Sequence, residues 1–442
     1  MKAFGFEPSG PVRGRVFVPG SKSIVLRALV LGARFPGEAV LVGLPDGDDV
    51  RAGIELARSL GARLRHGWGR GTLAIAGRAR GAARRTTLDP GESGTLARCA
   101  TAIAALEPGF LRVHGSGTLL RRTSEPLLAA LERAGARFTQ EGEGTWPLSI
   151  EAARTEPESL ELVDPVSSQE VSALLLAAVG LARRPRVRVH GRIPSRSYLA
   201  ITADVLARFH VGLDERVLDG RTSEFRFVEK GARGPVLLPV EPDASLAAVV
   251  LAAACLTNGE ARVEGFEPES PQGDLAIAGH LAAFGCEAVR ERDALVAHGW
   301  PTRAATLELG PTPDLAPVLA AVAAAAADAS GESSELRGLA TLARKESDRV
   351  AVLARGLSAA GWSVEARADA LRIGPRPARS AGAPPDPQVR LDPAHDHRMA
   401  FAFALLGLLR PGIRVADPTC VAKTWPTFWE DLEAAGIRVA RG

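Results

Sequence analysis

Six times along 442 residues an Ala/Leu-rich helical pattern runs into a short stop and then a β-prone tail, and the stops fall at Gly61, Gly135, His210, Gly285, Gly361 and Gly436. The steps between them are 74, 75, 75, 76 and 75 residues. A glycine just past a helix end relieves the left-handed C′ position; His210 is the one exception, and it tolerates that region better than a β-branched residue does. A period this regular restricts the chain to one supersecondary unit used six times. Since 442 residues exceed what a single core supports, six units divide into two domains of three.

A second series runs in step with the first. Each unit has a polar lead-in to an apolar helix: PGSKS before Ile24, GESGT before Leu96, PVSSQ before Glu170, EPDAS before Leu246, TPD before Leu315 and HDHR before Met399. Ser and Asp are what an N-cap requires, because their oxygens accept the first free backbone N–H groups. Such lead-ins are often caps and nothing more. In a pseudo-symmetric fold, however, equivalent helix starts can converge, and a helix N-terminus offers N–H donors and about half a positive charge to an anion.

Composition narrows the partners. At 46% hydrophobic and 24% charged the chain reads as a soluble globule, and apolar runs such as Ala316 to Ala327 are too short to cross a bilayer. The start, MKAFGFEPSG, lacks the apolar stretch of a secretory signal, so a cytoplasmic protein with no membrane partner is expected. Cys99, Cys255, Cys286 and Cys420 form no C-x-x-C pair, which argues against a zinc knuckle or a redox dithiol. A net charge of +3, with basic residues dispersed, argues against a nucleic-acid partner. The Pro/Gly/Arg-rich stretch Pro375 to Pro387 reads as a surface hairpin loop. Of 54 basic side chains only five are lysines (Lys2, Lys22, Lys230, Lys345 and Lys423), so a lysine here is a choice of a compact point charge over a planar fork.

Several segments gather charge. PGSKSIVLR sets Lys22, Ser23 and Arg27 at a strand-to-helix junction, with Ser23 and Arg27 one turn apart, as a phosphate or carboxylate cradle would; a capping Ser with flanking cations has the same pattern. RKESDR, Arg344 to Arg349, reads locally as a solvated salt-bridge face. HDHRMA sets His395 and His397 where a metal would need them, but no third ligand recurs nearby and Arg398 would repel a cation. Asp314 and Ser167 to Gln169 read as caps by themselves.

As a set these motifs are specific. PGSKS with Arg27, SGT at 93–95 with Arg98, SSQ at 167–169, Ser195 with Tyr198, Asp314, KESDR at 345–349, DHRMA at 396–400 and AKTWP at 422–426 resemble the 5-enolpyruvylshikimate-3-phosphate synthase family, in order and over nearly the full length. The resemblance implies an α/β fold, a two-lobed inverted α/β barrel of six βαβαββ repeats, three per lobe. It places residues 21–236 in the N-terminal lobe and residues 237–442 in the C-terminal lobe, which residues 1–20 complete, with the active site in the cleft and closing on its substrates. It implies transfer of the enolpyruvyl group of phosphoenolpyruvate to the 5-hydroxyl of shikimate 3-phosphate with release of phosphate, by addition and elimination. No cofactor and no metal are implied, the two substrates are the only partners, and the enzyme is expected to be a monomer.

By the same resemblance Asp314 accepts a proton, Glu346 donates one and Lys22 assists. Lys22, Ser23, Arg27, Ser167, Ser168, Gln169, Ser195, Tyr198, Asp314, Thr341 and Lys345 surround shikimate 3-phosphate. Lys22, Gly94, Arg122, Gln169, Arg349, Arg398 and Lys423 surround phosphoenolpyruvate, with Arg98, Asp396 and His397 in support. The chemistry suits them: the substrates bring roughly five negative charges, forked arginines match planar anions, and the reaction needs one group to take the hydroxyl proton and one to protonate the methylene. A carboxylic acid among so many cations should lose its proton, so Glu346 needs desolvation or a neighbouring carboxylate, with Asp314 the candidate. Leu26, Glu92, Thr123 and Thr341 depart from the family pattern, and Glu92 adds an anion on the phosphoenolpyruvate side. Two other readings stand beside this one. A UDP-N-acetylglucosamine enolpyruvyl transferase would usually carry a cysteine in the segment His114 to Ser124, which has none. A non-catalytic binder of phosphorylated metabolites would gain nothing from Asp314 and Glu346.

Overall fold

A computed structural model describes residues 2–67, 71–77, 86–153, 156–229, 231, 234–377 and 387–442. Most of the hairpin loop expected between Pro375 and Pro387 therefore lies outside the described residues. Twelve α-helices are found among the described residues: α1 Lys22–Gly32, α2 Asp48–Ser59, α3 Gly94–Leu106, α4 Glu125–Arg133, α5 Ser168–Ala178, α6 Ser197–Arg208, α7 Ala244–Leu256, α8 Ile277–Ala283, α9 Ala316–Ser330, α10 Arg349–Ala359, α11 His397–Leu409 and α12 Phe428–Ala434. The even-numbered helices run into the six stops. All six stops are left-handed, with φ of 95°, 101°, 60°, 94°, 100° and 98° in chain order, so His210 takes the conformation that glycine takes in the other five copies.

Among the described residues six four-stranded sheets share one order. In the third copy, Ser159–Val163 lies parallel to Arg186–His190, and the hairpin Val211–Asp219 and Thr222–Glu229 adds antiparallel beyond it. A parallel pair needs a crossover, and in four of the six sheets a single buried helix supplies it, α3, α5, α9 or α11. These four and the equivalent helices α1 and α7, which lead from one sheet into another, are apolar nearly all round. All thirteen residues of α7 are buried. A helix without a polar face has to sit inside its domain, and α7, α9 and α11 pack on one another in one core while α3 and α5 pack together in the other.

The chain divides into two compact units, residues 1–19 with 241–442 and residues 20–240. Two strands are exchanged relative to simple chain order. Arg13–Arg15 precedes α1, yet it pairs in parallel with Glu260–Arg262 of the first unit. Val236–Pro239 precedes α7, yet it pairs in parallel with Ala39–Val42 of the second. The return therefore falls at Glu241 and not at 237, because the backbone of Val236–Pro239 is satisfied in the second unit. Phe4–Glu7 fills the place of a missing fourth strand between Ile413–Val415 and Arg438–Arg441. Gly5 lets the strands close up there: a Cβ would lie 2.1 Å from the Ile413 carbonyl oxygen.

Candidate active site

Many of the expected site residues sit at the N-terminal ends of helices, whereas Arg122, Thr341 and Lys423 lie in or beside 3-10 turns. The lead-ins are not equivalent as caps. Ser167 accepts from the Gln169 N–H, Asp243 from those of Ser245 and Leu246, and Asp396 from that of Arg398. Ser21 and Ser93 make no capping bond, and α9 is preceded by a 3-10 turn, Pro313–Leu315.

In the unit of residues 20–240, Arg27 is buried on α1. Its Nε donates to Thr202 Oγ1 at 2.8 Å, one terminal nitrogen to the Ser23 carbonyl at 2.8 Å and the other to Ser172 Oγ at 3.4 Å. These are neutral oxygens on α1, α5 and α6. Burial lowers the Arg27 pKa, opposed by Cys99 and Tyr198. Lys22 donates to Asp49 of α2 at 2.9 Å. Arg98 ties α3 to α5: it donates to Gln169 Oε1 at 3.1 Å, to Ser124 Oγ at 3.1 Å and to the carbonyls of Gly94 and Thr123 at 3.1 and 2.9 Å. Burial pulls its pKa down to about 10, Arg122 adds to the shift and Glu170 opposes it. The Arg122 guanidinium packs on Gly94 so closely that a Cβ would lie 2.6 Å from it. Ser168 is buried, and Ser195, at the approach to α6 and Tyr198, is held at φ 49°, a strained setting for a non-glycine residue.

Glu92, expected only as an extra anion, has a structural task. Its carboxylate accepts from the Thr118 hydroxyl at 3.1 Å and so braces the 3-10 turn Gly117–Arg121 that leads to Arg122.

In the unit of residues 1–19 and 241–442, Arg349 organises the carboxylates. It starts α10, is 1% exposed, and donates to Asp314 Oδ1 at 2.8 Å, to Glu346 Oε2 at 2.8 Å, and to both Asp396 oxygens at 2.7 and 3.2 Å. RKESDR is thus only in part a solvated face: Arg344 and Asp348 are exposed, while Arg349 is buried among carboxylates. Burial lowers the Arg349 pKa, but Asp396, then Glu346 and Asp314, outweigh it and the net shift is upward. Glu346 and Asp314 are bridged by this guanidinium. Lys345 lies 3.3 Å from Asp314 Oδ1, Arg398 3.5 Å from Asp314 Oδ2, and Lys423 3.8 Å from Glu346 Oε1. Thr341 has a buried hydroxyl with no hydrogen-bond partner among the described residues. His397 is buried with its ring edge-on to Phe401. His395 is exposed and bonds Asp417 at 2.8 Å.

Several participants escape a sequence reading: Asp49, Ser172, Thr202, Ser124, Glu170, Ser245 and Asp274. Each is a polar residue in an ordinary turn or helix, and only its neighbours across the fold give it a role.

The chain matches the family model described as EPSP synthase (3-phosphoshikimate 1-carboxyvinyltransferase) over residues 6–432. A 3-phosphoshikimate 1-carboxyvinyltransferase of Laribacter hongkongensis is 36% identical, with 97% of this chain and 98% of the relative covered. One of Methanoculleus marisnigri is 34% identical, with the same coverage. Among solved structures, the EPSP synthase of Acinetobacter baumannii superposes with a TM-score of 0.76 at 24% identity over the whole of both chains. The enolpyruvyl transferase NikO of Streptomyces tendae gives 0.73 at 16%, covering all of this chain and 99% of that one; at these identities the likeness speaks to fold.

Proposed function

From the premise that this chain belongs to the EPSP synthase family, we propose that the residues described above bind and turn over the two substrates of that reaction. The activity is transfer of the enolpyruvyl group from phosphoenolpyruvate to the 5-hydroxyl of shikimate 3-phosphate, a step of the shikimate pathway. The proposal places it in the cytoplasm as a monomer that uses no cofactor.

The observation that carries the assignment of residues is Arg27. A buried guanidinium whose hydrogen bonds go to neutral oxygens among the described residues is costly unless an anion joins it, and the 3-phosphate of shikimate 3-phosphate is that anion. Lys22, Ser23, Ser167, Ser168, Gln169, Ser195 and Tyr198 complete its surroundings in this reading, and the Thr341 hydroxyl and Lys345 meet the hydroxyl-bearing ring. Arg98 and Arg122 repel one another and so favour an anion between them, which assigns Arg122, Gly94 and Gln169 to phosphoenolpyruvate with Arg349, Arg398 and Lys423.

Asp314 then has a route to act as a base. Its Oδ1 is engaged by Arg349 and Lys345. A substrate anion that draws Lys345 away leaves a lone pair of that oxygen for the proton of the 5-hydroxyl as oxygen attacks the enolpyruvyl carbon. Glu346 in its protonated form delivers a proton to the methylene carbon; in the elimination the new methyl group returns that proton to Glu346, and the proton held by Asp314 goes to the departing phosphate as the double bond is restored. Measuring phosphate release from phosphoenolpyruvate with each acceptor in turn tests the function. Release is expected with shikimate 3-phosphate and not with UDP-N-acetylglucosamine; release with the nucleotide sugar alone would overturn it.

A further inference from the structure

Asp274 is 5% exposed on the 3-10 turn Gly273–Ala276, and the reaction as derived above makes no use of it. It belongs to a short run that grips the start of α7. Gln272 accepts from the Ala244 N–H at 3.0 Å and donates to the Pro242 carbonyl at 2.7 Å. Two residues on, Asp274 Oδ2 accepts from the Ser245 hydroxyl. Ser245 Oγ in turn accepts from the Arg398 guanidinium at 3.2 Å, and the other terminal nitrogen of Arg398 donates to the Asp314 carbonyl at 3.2 Å. A carboxylate, a hydroxyl and a guanidinium are thus in series, drawn from the turn before α8 and the starts of α7 and α11, and they end at Asp314.

We propose that Asp274 is a positioning residue for the transfer: acting through the Ser245 hydroxyl, it fixes the Arg398 guanidinium in the orientation that meets Asp314 and the phosphoenolpyruvate anion. The inference rests on the functional reading above. A serine hydroxyl that gives its one proton to Asp274 keeps its lone pairs for Arg398. With Asp274 protonated, a second donor competes for the serine oxygen and the charge behind Arg398 is lost. The charged groups acting on Asp274 are Asp314 on the turn before α9, Arg398 on α11 and Asp243 at the cap of α7. Burial first, then Asp314 and Asp243, raise its pKa to about 6 while Arg398 and Ser245 oppose them, so the switch lies within reach of a pH profile.

The test uses the full chain and the variants Asp274→Asn, Ser245→Ala and the double variant, with phosphate release measured against phosphoenolpyruvate at saturating shikimate 3-phosphate from pH 5 to 9, and thermal melts alongside. Each single change is expected to raise KM for phosphoenolpyruvate about tenfold, the size of one charge-assisted contact, with kcat changed much less. The double variant should be no worse than either single one, because both break the same relay. In the wild type kcat/KM for phosphoenolpyruvate should fall as pH drops through about 6, and Asp274→Asn should lose the Asp274 share of that limb; titration of the substrate is common to both enzymes and cancels. An unchanged KM, additive losses, or an identical acid limb in Asp274→Asn would overturn the inference. Should Asp274→Asn fail to fold, the KM of Ser245→Ala decides alone. A wild type that releases no phosphate with shikimate 3-phosphate refutes the functional reading and this inference with it, whereas an active wild type with unaffected variants refutes only the role of Asp274.

Discussion

At the scale of single residues, the arginines of the two units are held in opposite ways, and the difference predicts opposite outcomes on removal. Arg349 is matched by three carboxylates, so Arg349→Met leaves buried anions unpaired and should destabilise its unit by about 3–5 kcal/mol. Arg27 meets neutral oxygens, so Arg27→Met should leave the melting temperature unchanged or higher while shikimate 3-phosphate binding falls about 100-fold, from two or more lost contacts to a charged donor; calorimetry and a melt on the same sample give both numbers. Asp314→Asn and Glu346→Gln should lower kcat about 10²- to 10⁴-fold with small changes in KM, as loss of proton transfer requires. A raised KM at constant kcat would reduce both to structural groups. Asp274 adds a stability signature. Its carboxyl binds a proton more tightly folded, at about 6, than at the ordinary 3.8. Ionising it therefore costs stability, a cost fully present above about 6 and absent below the unfolded value, and Asp274→Asn should melt higher than the wild type at pH 8 but not at pH 4.

At the scale of elements, the repeat is the part of the fold most legible in the sequence, because a left-handed C′ position leaves a glycine behind and a spacing near 75 residues cannot arise by local propensity alone. The stops also differ in a measurable way. A Cβ at Gly436 would meet nothing within 4 Å, whereas one at Gly285 would sit 2.3 Å from Thr302 Oγ1. Gly436→Ala should cost only the left-handed backbone term, about 1–2 kcal/mol, and Gly285→Ala should cost visibly more in a urea titration. The lead-ins were legible only in part. Serine before a buried helix predicts a cap, and Ser167 is one, but Ser21 and Ser93 are not. The resemblance pointed to Arg349 and Asp396; nothing local distinguished Asp274 or Asp49, since their partners are far away in the chain. The exchange of Arg13–Arg15 and Val236–Pro239 was equally hidden, because a short strand names no partner and register is chosen by the sheet that needs an edge covered.

At the scale of the whole molecule, residues 20–240 hold their own core and all their sheet partners, while the other unit is assembled from both ends of the chain. The segment 20–240 expressed alone should give a cooperative melt. Deleting residues 1–19 should leave that transition in place and abolish the second one, since it removes strands from two sheets; a deletion variant with both transitions intact would contradict the assignment of those strands. The same arrangement sets an order of events during synthesis. Unit two is complete once Val236–Pro239 leaves the ribosome, so it is free to fold while translation continues. The first nineteen residues, made earliest, have no place until Glu260–Arg262 and finally Arg438–Arg441 emerge. At about 5–20 residues per second the wait after Val240 is on the order of 10–40 s. For that interval Phe4 and Phe6 hang on an unpaired strand, and the nascent chain, more than the finished enzyme, is the form of this protein that calls for a chaperone.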